Sequence, residues 1–502
     1  MRQTKVAFLL VGLFLIATAG MGQAGQEPVY GGTLRVALEG EPPGLDPTTN
    51  PSAIIDRVLY NNLFEGLVKF DRHGKIVPAL ATSWEVSEDG RAYTFHLEKG
   101  VKFHNGQPFT AADVKYTLDL ARDPENKTKT HKEYYKDISG LEAIDDHTVT
   151  ITLNTVNSMF FYDLARGDSV ILPKDMQPEM KTHPVGTGPF RFKEWVKGDH
   201  VTLVKFDQYY RQGVPYLDEV NFKFIDTPPA RNAALKAGDI DVIGYLASPE
   251  TAIEFEKDPR FKIYSGVTTG DVIMSTNNSR KPFNDVRVRR AMAYAIDRRA
   301  IINGAMFGYG TPIGTHMSPA NPNYLDLTWM YPYDPEKAKQ LLAEAGYPNG
   351  FDAVIKLPPR YDYSKRSGEI IADLFKKVGI NLKIELIEWG QWVDRVYSNA
   401  DYDLTVIGHV EAFDIGIYAN PKYYFRYDSP RFQEVIQKAR GSVDPDTQMK
   451  LYATAQYILA EDAVNGFLFE APSLPAMRKE VMGWWKDYPA IAHDVTEVWI
   501  AK

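Results

Sequence analysis

The side chains with the strongest claim to chemistry are one arginine and two acids. Arg360 stands in KLPPRYDYSKRSGEI, and Glu411 and Asp414 stand in IGHVEAFDIGIY, residues 407–418. Fixed charges of opposite sign suit a solute that brings its own carboxylate and ammonium out of water, each charge-assisted hydrogen bond contributing about 1.5–3 kcal/mol. An arginine fork grips a carboxylate with two parallel bonds, which lysine cannot do. Bond-breaking chemistry finds less support. There is no GxSxG elbow, no serine followed three places on by lysine and no HExxH, so hydrolysis lacks a nucleophile. With 65 acidic residues, some acid and base pair can always be drawn, and it would carry no information. No catalytic residue is assigned.

The ten histidines are scattered, and the closest pair, His96 and His104, straddles a turn, so no metal site is expected. Gly308, Gly310 and Gly314 have GxGxxxG spacing after a helix, not the dinucleotide fingerprint after a strand, and no cofactor is expected. Cysteine is absent. That excludes disulfides, thiolate ligands, a cysteine nucleophile and a lipid-bearing cysteine. The net charge is −8, and −10 without Arg2 and Lys5. An acidic chain with no basic stripe has no electrostatic footing on nucleic acid.

The first residues combine basic Arg2 and Lys5, an apolar run from Val6 to Ala17 and the small-residue site Gly22, Gln23, Ala24. This reads as an export signal over residues 1–24, cleaved after Ala24. No later segment is apolar for the roughly 18 residues of a membrane span. The remainder has the composition of a globular protein, and 502 residues suggest two to four domains.

The elements that must hold the charged residues can be read from periodicity. Leu34, Val36 and Leu38 alternate in a strand before the loop GEPPGLDP. Trp84, Val86, Tyr93, Phe95 and Leu97 flank Glu88, Asp89 and Gly90 as a half-buried hairpin, and Val101 and Phe103 read as a further strand. Thr110 and Asp113 form a capping box for a helix with Val114, Leu118 and Ala121 inward. Thr148–Leu153 alternates as a strand, and Ala230–Gly238 reads as a helix closed by glycine. Strand Asp271–Ser275, a helix from Val286 to Ile302 and a proline-led helix capped by Asp334 follow. Ile370–Val378 as helix, Leu382, Ile384 and Leu386 as strand, and the buried strand Leu404–Ile407 then make an α/β unit whose strand ends would carry ligand loops.

Three blocks carry a resemblance. LFEGLV with LATSWEVSEDG and YTFHLEKGVKFHNGQPFTAADV, the LDP loop, and PFNDVRVRRAMAYAID together resemble the family 5 extracellular solute-binding proteins, the peptide, dipeptide and nickel receptors of ABC importers. The likeness runs from about Gly31 to Glu470. It implies a two-lobed α/β periplasmic binding protein fold of the large type II kind, with the ligand cleft between lobes. Lobe I would comprise 28–65, 185–276 and 477–502, an extra α+β subdomain 66–184, and lobe II 277–476. The resemblance implies a monomeric, unanchored periplasmic receptor that closes on a short peptide and presents it to an inner-membrane ABC permease.

The same resemblance gives Arg360 the ligand carboxylate. It puts Ala412 where relatives have an ammonium-binding aspartate, leaving Glu411 or Asp414 for that role. It also sets the ligand backbone as an added strand between Pro51–Ala53 and Gly408–Val410, with Trp389, Trp392, His409, Tyr423 and Tyr424 as candidate pocket walls. The departure at Ala412 leaves a sugar, an opine or another amine-poor solute as the alternative ligand, and a periplasmic hydrolase as the remote one.

Overall fold

The computed structural model describes residues 27–50, 52–123, 125, 135–174, 176–246, 249–410 and 413–502. The expected signal segment 1–24, Pro51 and Glu411 lie outside them.

Three sheets organise the chain. The first has seven strands in the order Phe261–Ile263, Ala476–Arg478, Val242–Ile243, Thr33–Leu38, Glu219–Phe224, His200–Lys205 and Phe190–Val196. Thr33–Leu38 lies parallel to both its neighbours. Its alternating Leu34, Val36 and Leu38 are fully buried, together with Ile55, Val58 and Leu59 of helix Ala53–Leu59. Burying each such side chain is worth about 1.5–3 kcal/mol, so this helix is fixed on the sheet by the residues flanking Arg57.

The second sheet runs Thr311–Pro312, Gly466–Glu470, Asp271–Thr276, Leu404–His409, Phe351–Leu357 and Ile380–Leu386. Helix Asp362–Lys376 makes the crossover between its two parallel strands, Phe351–Leu357 and Ile380–Leu386. Leu382, Ile384 and Leu386 stand in a strand, as their alternation indicates. They lie on the edge strand, where Leu386 is exposed and the other two half-buried. A third, four-stranded sheet holds the predicted hairpin, Ala81–Val86 and Ala92–Leu97, beside Thr148–Leu153 and Ile138–Asp145. Helix Ala111–Arg122 opens on the predicted capping box, where the Asp113 carboxylate accepts the Thr110 N–H at 2.8 Å.

Three expectations need correction. Val101–Phe103 is not a strand but a loop with one bridge, Lys102 to Pro108; its apolar residues are buried without a ladder. The helix expected from Val286 to Ile302 is two helices, Val286–Ala295 and Arg298–Met306, because the Asp297 carboxylate accepts the Ala300 N–H at 2.9 Å and caps a new start. The chain passes between the two large sheets earlier than the boundaries at 276 and 476 imply. Asp271–Thr276 is already in the second sheet, and Ala476 already in the first. A run of six buried residues such as DVIMST reads the same whichever sheet receives it, so pattern could not correct the junction that the resemblance implied.

The crossings are therefore 264–270 and 471–475. They are bonded to each other: Gly266 and Ser473 exchange both N–H···O bonds, at 3.0 and 2.9 Å, and the Ala471 N–H reaches the Gly270 carbonyl at 2.8 Å.

Candidate functional site

Between the two large sheets lies a cavity of about 300 Å³. The first-sheet side contributes Ala53, Arg57 and Tyr245, the second-sheet side Tyr363 and Val410, and both crossings contribute wall residues, Thr268–Gly270 and Ala471–Ser473. His493 and Tyr488 close one end. Gly244 is there because a Cβ would come within 2.5 Å of the His493 ring.

No carboxylate lines this cavity among the described residues. The one charged group among its described lining residues is Arg57, whose guanidinium lies 5.9 Å from the Tyr245 ring centroid and forms an ion pair with the more exposed Glu39. Burial lowers the Arg57 pKa from its ordinary value, yet an arginine keeps its proton. His493 is pushed down to about 3 by burial and then by the charge of Arg57, so it is a neutral wall. The Tyr363 hydroxyl accepts the Gly408 N–H at 3.1 Å and retains its own proton to donate.

The residues singled out from sequence divide into three groups. Ala53 and Val410 face the cavity, and Gly408 touches its wall through Tyr363. Ala53, however, begins a helix, so on that side an added ligand strand would have to pair with residues before it. Arg360 is exposed in a turn, 5.7 Å from the Tyr361 ring centroid, and holds no ion pair among the described residues. Trp389 is half-buried and stacks on buried Trp392, with centroids 5.0 Å apart and planes at 5°. Trp392, Tyr424 and His409 belong to the core, not to the cavity wall. Arg57 and Tyr245 were missed. The available signal was the Asp56–Arg57 pair set in the otherwise apolar helix after the LDP loop.

His409 and Asp414 instead meet a residue from another part of the chain. His316 Nε2 is 2.8 Å from Asp414 Oδ1, and His409 Nδ1 is 3.2 Å from Asp414 Oδ2. Burial alone would raise the Asp414 carboxyl, but the His316 charge and the bonds from both imidazoles outweigh it and hold the group below the usual carboxylate range. The outer ring nitrogens are held by Tyr418, 3.1 Å from His316 Nδ1, and Tyr424, 2.9 Å from His409 Nε2. His316 and His409 lie far apart in sequence, so the spacing of histidines gave no hint of this cluster.

The halves touch outside the cavity lining. Glu250 and Arg366 form an ion pair at 2.5 Å. The Tyr162 and Phe413 rings lie 4.2 Å apart, and the Ser158 N–H donates to the Arg440 carbonyl at 3.0 Å. The arrangement is that of a cleft whose halves are in contact beside a partly open cavity, with no nucleophile and base assembled among its described wall residues.

Residues 75–436 match the family model described as bacterial extracellular solute-binding proteins, family 5 middle. The glutathione-binding protein GsiB of Pectobacterium atrosepticum is 34% identical over 454 residues, covering 86% of this chain and 87% of that protein. The solved periplasmic binding protein AgaA of A. tumefaciens R10, in complex with agropinic acid, is 32% identical with a TM-score of 0.73, covering 94% of this chain and 99% of that one. DppA from Helicobacter pylori, solved with the peptide STSA, is 28% identical with a TM-score of 0.75 over the same shares, 94% and 99%. No described helix is long and apolar enough to cross a membrane.

Proposed function

Because the chain belongs to the bacterial extracellular solute-binding proteins of family 5, we propose that it captures a short peptide or peptide-like solute and hands it to the inner-membrane permease of an ABC importer. The observation that carries this reading is the cavity of about 300 Å³ between the two large sheets, with Arg57 as the one charged group among its described lining residues. That volume is at the lower end of the about 300–1,000 Å³ typical of small-molecule sites, which suits a solute the size of a di- or tripeptide. Arg57 takes the solute carboxylate inside, and Arg360 draws anions to the mouth. Backbone groups around Gly408 and Val410 bind the solute main chain without choosing side chains, beside Ala53, and Trp389 closes the rim. An ammonium, where the solute has one, is met by Glu411 or by the charge of Asp414.

Closure brings the halves together around the bound solute, and the closed form is what the permease reads. The protein works as a monomer in the periplasm after removal of residues 1–24. It turns nothing over, the ATP being hydrolysed by the transporter. Likeness to the glutathione-binding protein and to the peptide-bound receptor supports a peptide. A second reading, an opine or another amine-poor solute, is favoured by the lack of any described carboxylate in the cavity wall and by the likeness to the agropinic acid complex.

Native mass spectrometry of the gently purified mature protein decides between them. A retained mass that fragments as a peptide supports the first reading, and an amine-free mass the second. Arg57→Met should weaken the retained solute by about 10- to 100-fold, the worth of a charge-assisted pair. Full affinity in that variant would remove Arg57 from the site. Loss of affinity in Glu411→Ala would show that an amine is read.

A further inference from the structure

The cluster behind the cleft wall has the composition and shape of a metal centre. His316 Nε2 and His409 Nδ1 both point at the Asp414 carboxylate, one at each oxygen, at 2.8 and 3.2 Å. The donor atoms of all three residues lie within 4.8 Å of one another. Two imidazoles and a carboxylate are a usual donor set for zinc and its neighbours in the first transition row. A tetrahedral ion with bonds of about 2.0–2.2 Å separates its donors by about 3.3 Å, so movements of about an ångström would complete the site.

Two further observations point to a ligand. Asp271, 3% exposed, has its Oδ1 without a hydrogen-bond partner, and it lines a pocket of about 10 Å³ shared with His316 and Asp414. A buried carboxylate oxygen left unpaired is costly, and no lysine or arginine forms an ion pair with Asp271 or Asp414 among the described residues. The outer nitrogens also have the partners that ligating histidines need. Tyr418, itself held by Asn465 at 2.8 Å, and Tyr424, held by Ser275 at 2.9 Å, fix the two ring planes and choose which nitrogen faces inward.

We infer that His316, His409 and Asp414, with Asp271 or a water as fourth donor, bind one divalent transition-metal ion of the zinc class. The ion would tie strand Leu404–His409 to the short helix Asp414–Ala419 and to the segment carrying His316, and so fix the loop at the cleft wall. None of these donors lines the solute cavity, and a bound ion would take the charge of Asp414, leaving a solute ammonium to Glu411.

The test uses untagged mature protein, stripped with a chelator and titrated with Co²⁺ and Zn²⁺. One equivalent of metal per chain is expected, with the visible bands of tetrahedral Co²⁺. His409→Gln and Asp414→Asn should each weaken that uptake by at least about tenfold. Should either variant fail to fold, crystals of the wild-type protein soaked in Zn²⁺ give the answer: an anomalous peak between His316 Nε2 and His409 Nδ1 is expected. No peak there, or uptake equal in folded variants and wild type, overturns the site and leaves a metal-free hydrogen-bond network that orders the loop.

Discussion

The ion pair between Glu250 and Arg366 offers a quantitative test of closure. Helix Pro249–Glu256 packs with the first sheet and helix Asp362–Lys376 with the second, so the pair forms only when the halves meet. The side chains are 36% and 31% exposed. Solvent screens such a pair, and its worth is about 0.5–1 kcal/mol. Arg366 also lies 5.3 Å from the Phe307 ring centroid, so Glu250→Gln is the cleaner perturbation: it removes the charge and keeps the shape. If the solute is held by the closed form alone, the whole 0.5–1 kcal/mol appears in affinity, about a two- to fivefold rise in Kd. Calorimetry at low salt should find that rise. Raising salt to about 0.5 M should bring wild type toward the variant, because screening over a few ångströms removes the same term. Arg366→Met completes a double-mutant cycle, with an expected coupling of about 0.5–1 kcal/mol. Unchanged affinity at low salt together with zero coupling would refute the pair as a closure contact.

Burial raises the carboxyls of Asp56 and Glu470 to about 8 and that of Asp163 to about 7, the neighbouring Asp168 adding to the effect on Asp56. The native fold keeps protons that the unfolded chain releases near pH 4, so stability is lost progressively from about pH 4 until these groups ionise at about 7 to 8. Above pH 7 the unfolded imidazoles are already neutral, so His493 no longer offsets this, and each retained proton costs about 1.4 kcal/mol per pH unit. Thermal melts should give a lower Tm at pH 8.5 than at pH 7; a rise would refute the assignment. Gly244→Ala should displace the His493 ring, which lies 2.5 Å from the new Cβ, and weaken solute binding tenfold or more, by about 1.4 kcal/mol. Asp297→Ala removes the cap that divides two helices, and chemical denaturation should record a loss of about 0.5–2 kcal/mol with solute affinity retained.

Strands and caps were legible because their signals are local. The alternation of Tyr93, Phe95 and Leu97 and the pairing of Thr110 with Asp113 needed no knowledge of the rest of the fold, and both stand as expected. The α/β unit around helix Asp362–Lys376 was legible for the same reason. Where a residue faces, and whom it meets, depends on partners far away in sequence. Alternation marks Leu386 as part of a strand, but only the sheet order shows that strand to be an edge with Leu386 exposed. Arg57 is an ordinary helical arginine until Tyr245, Gly244 and His493 enclose it. His316 lies far along the chain from His409 and carries no motif, so only the folded sheet brings the two rings to a centroid distance of 4.9 Å.

The two crossings have a consequence for how this receptor can change. Residues 264–270 and 471–475 are cross-bonded to one another, and part of them, Thr268–Gly270 and Ala471–Ser473, forms a wall of the cavity. The pivot and the recognition surface are thus one object. A substitution there that reshapes the pocket for a new solute also alters the torsional stiffness of the joint. Such changes should move affinity and the open-to-closed balance together, whereas substitutions at Arg57 or Tyr245, away from the joint, can retune selectivity alone. Divergence toward new solutes is therefore easiest on the far walls of the cleft.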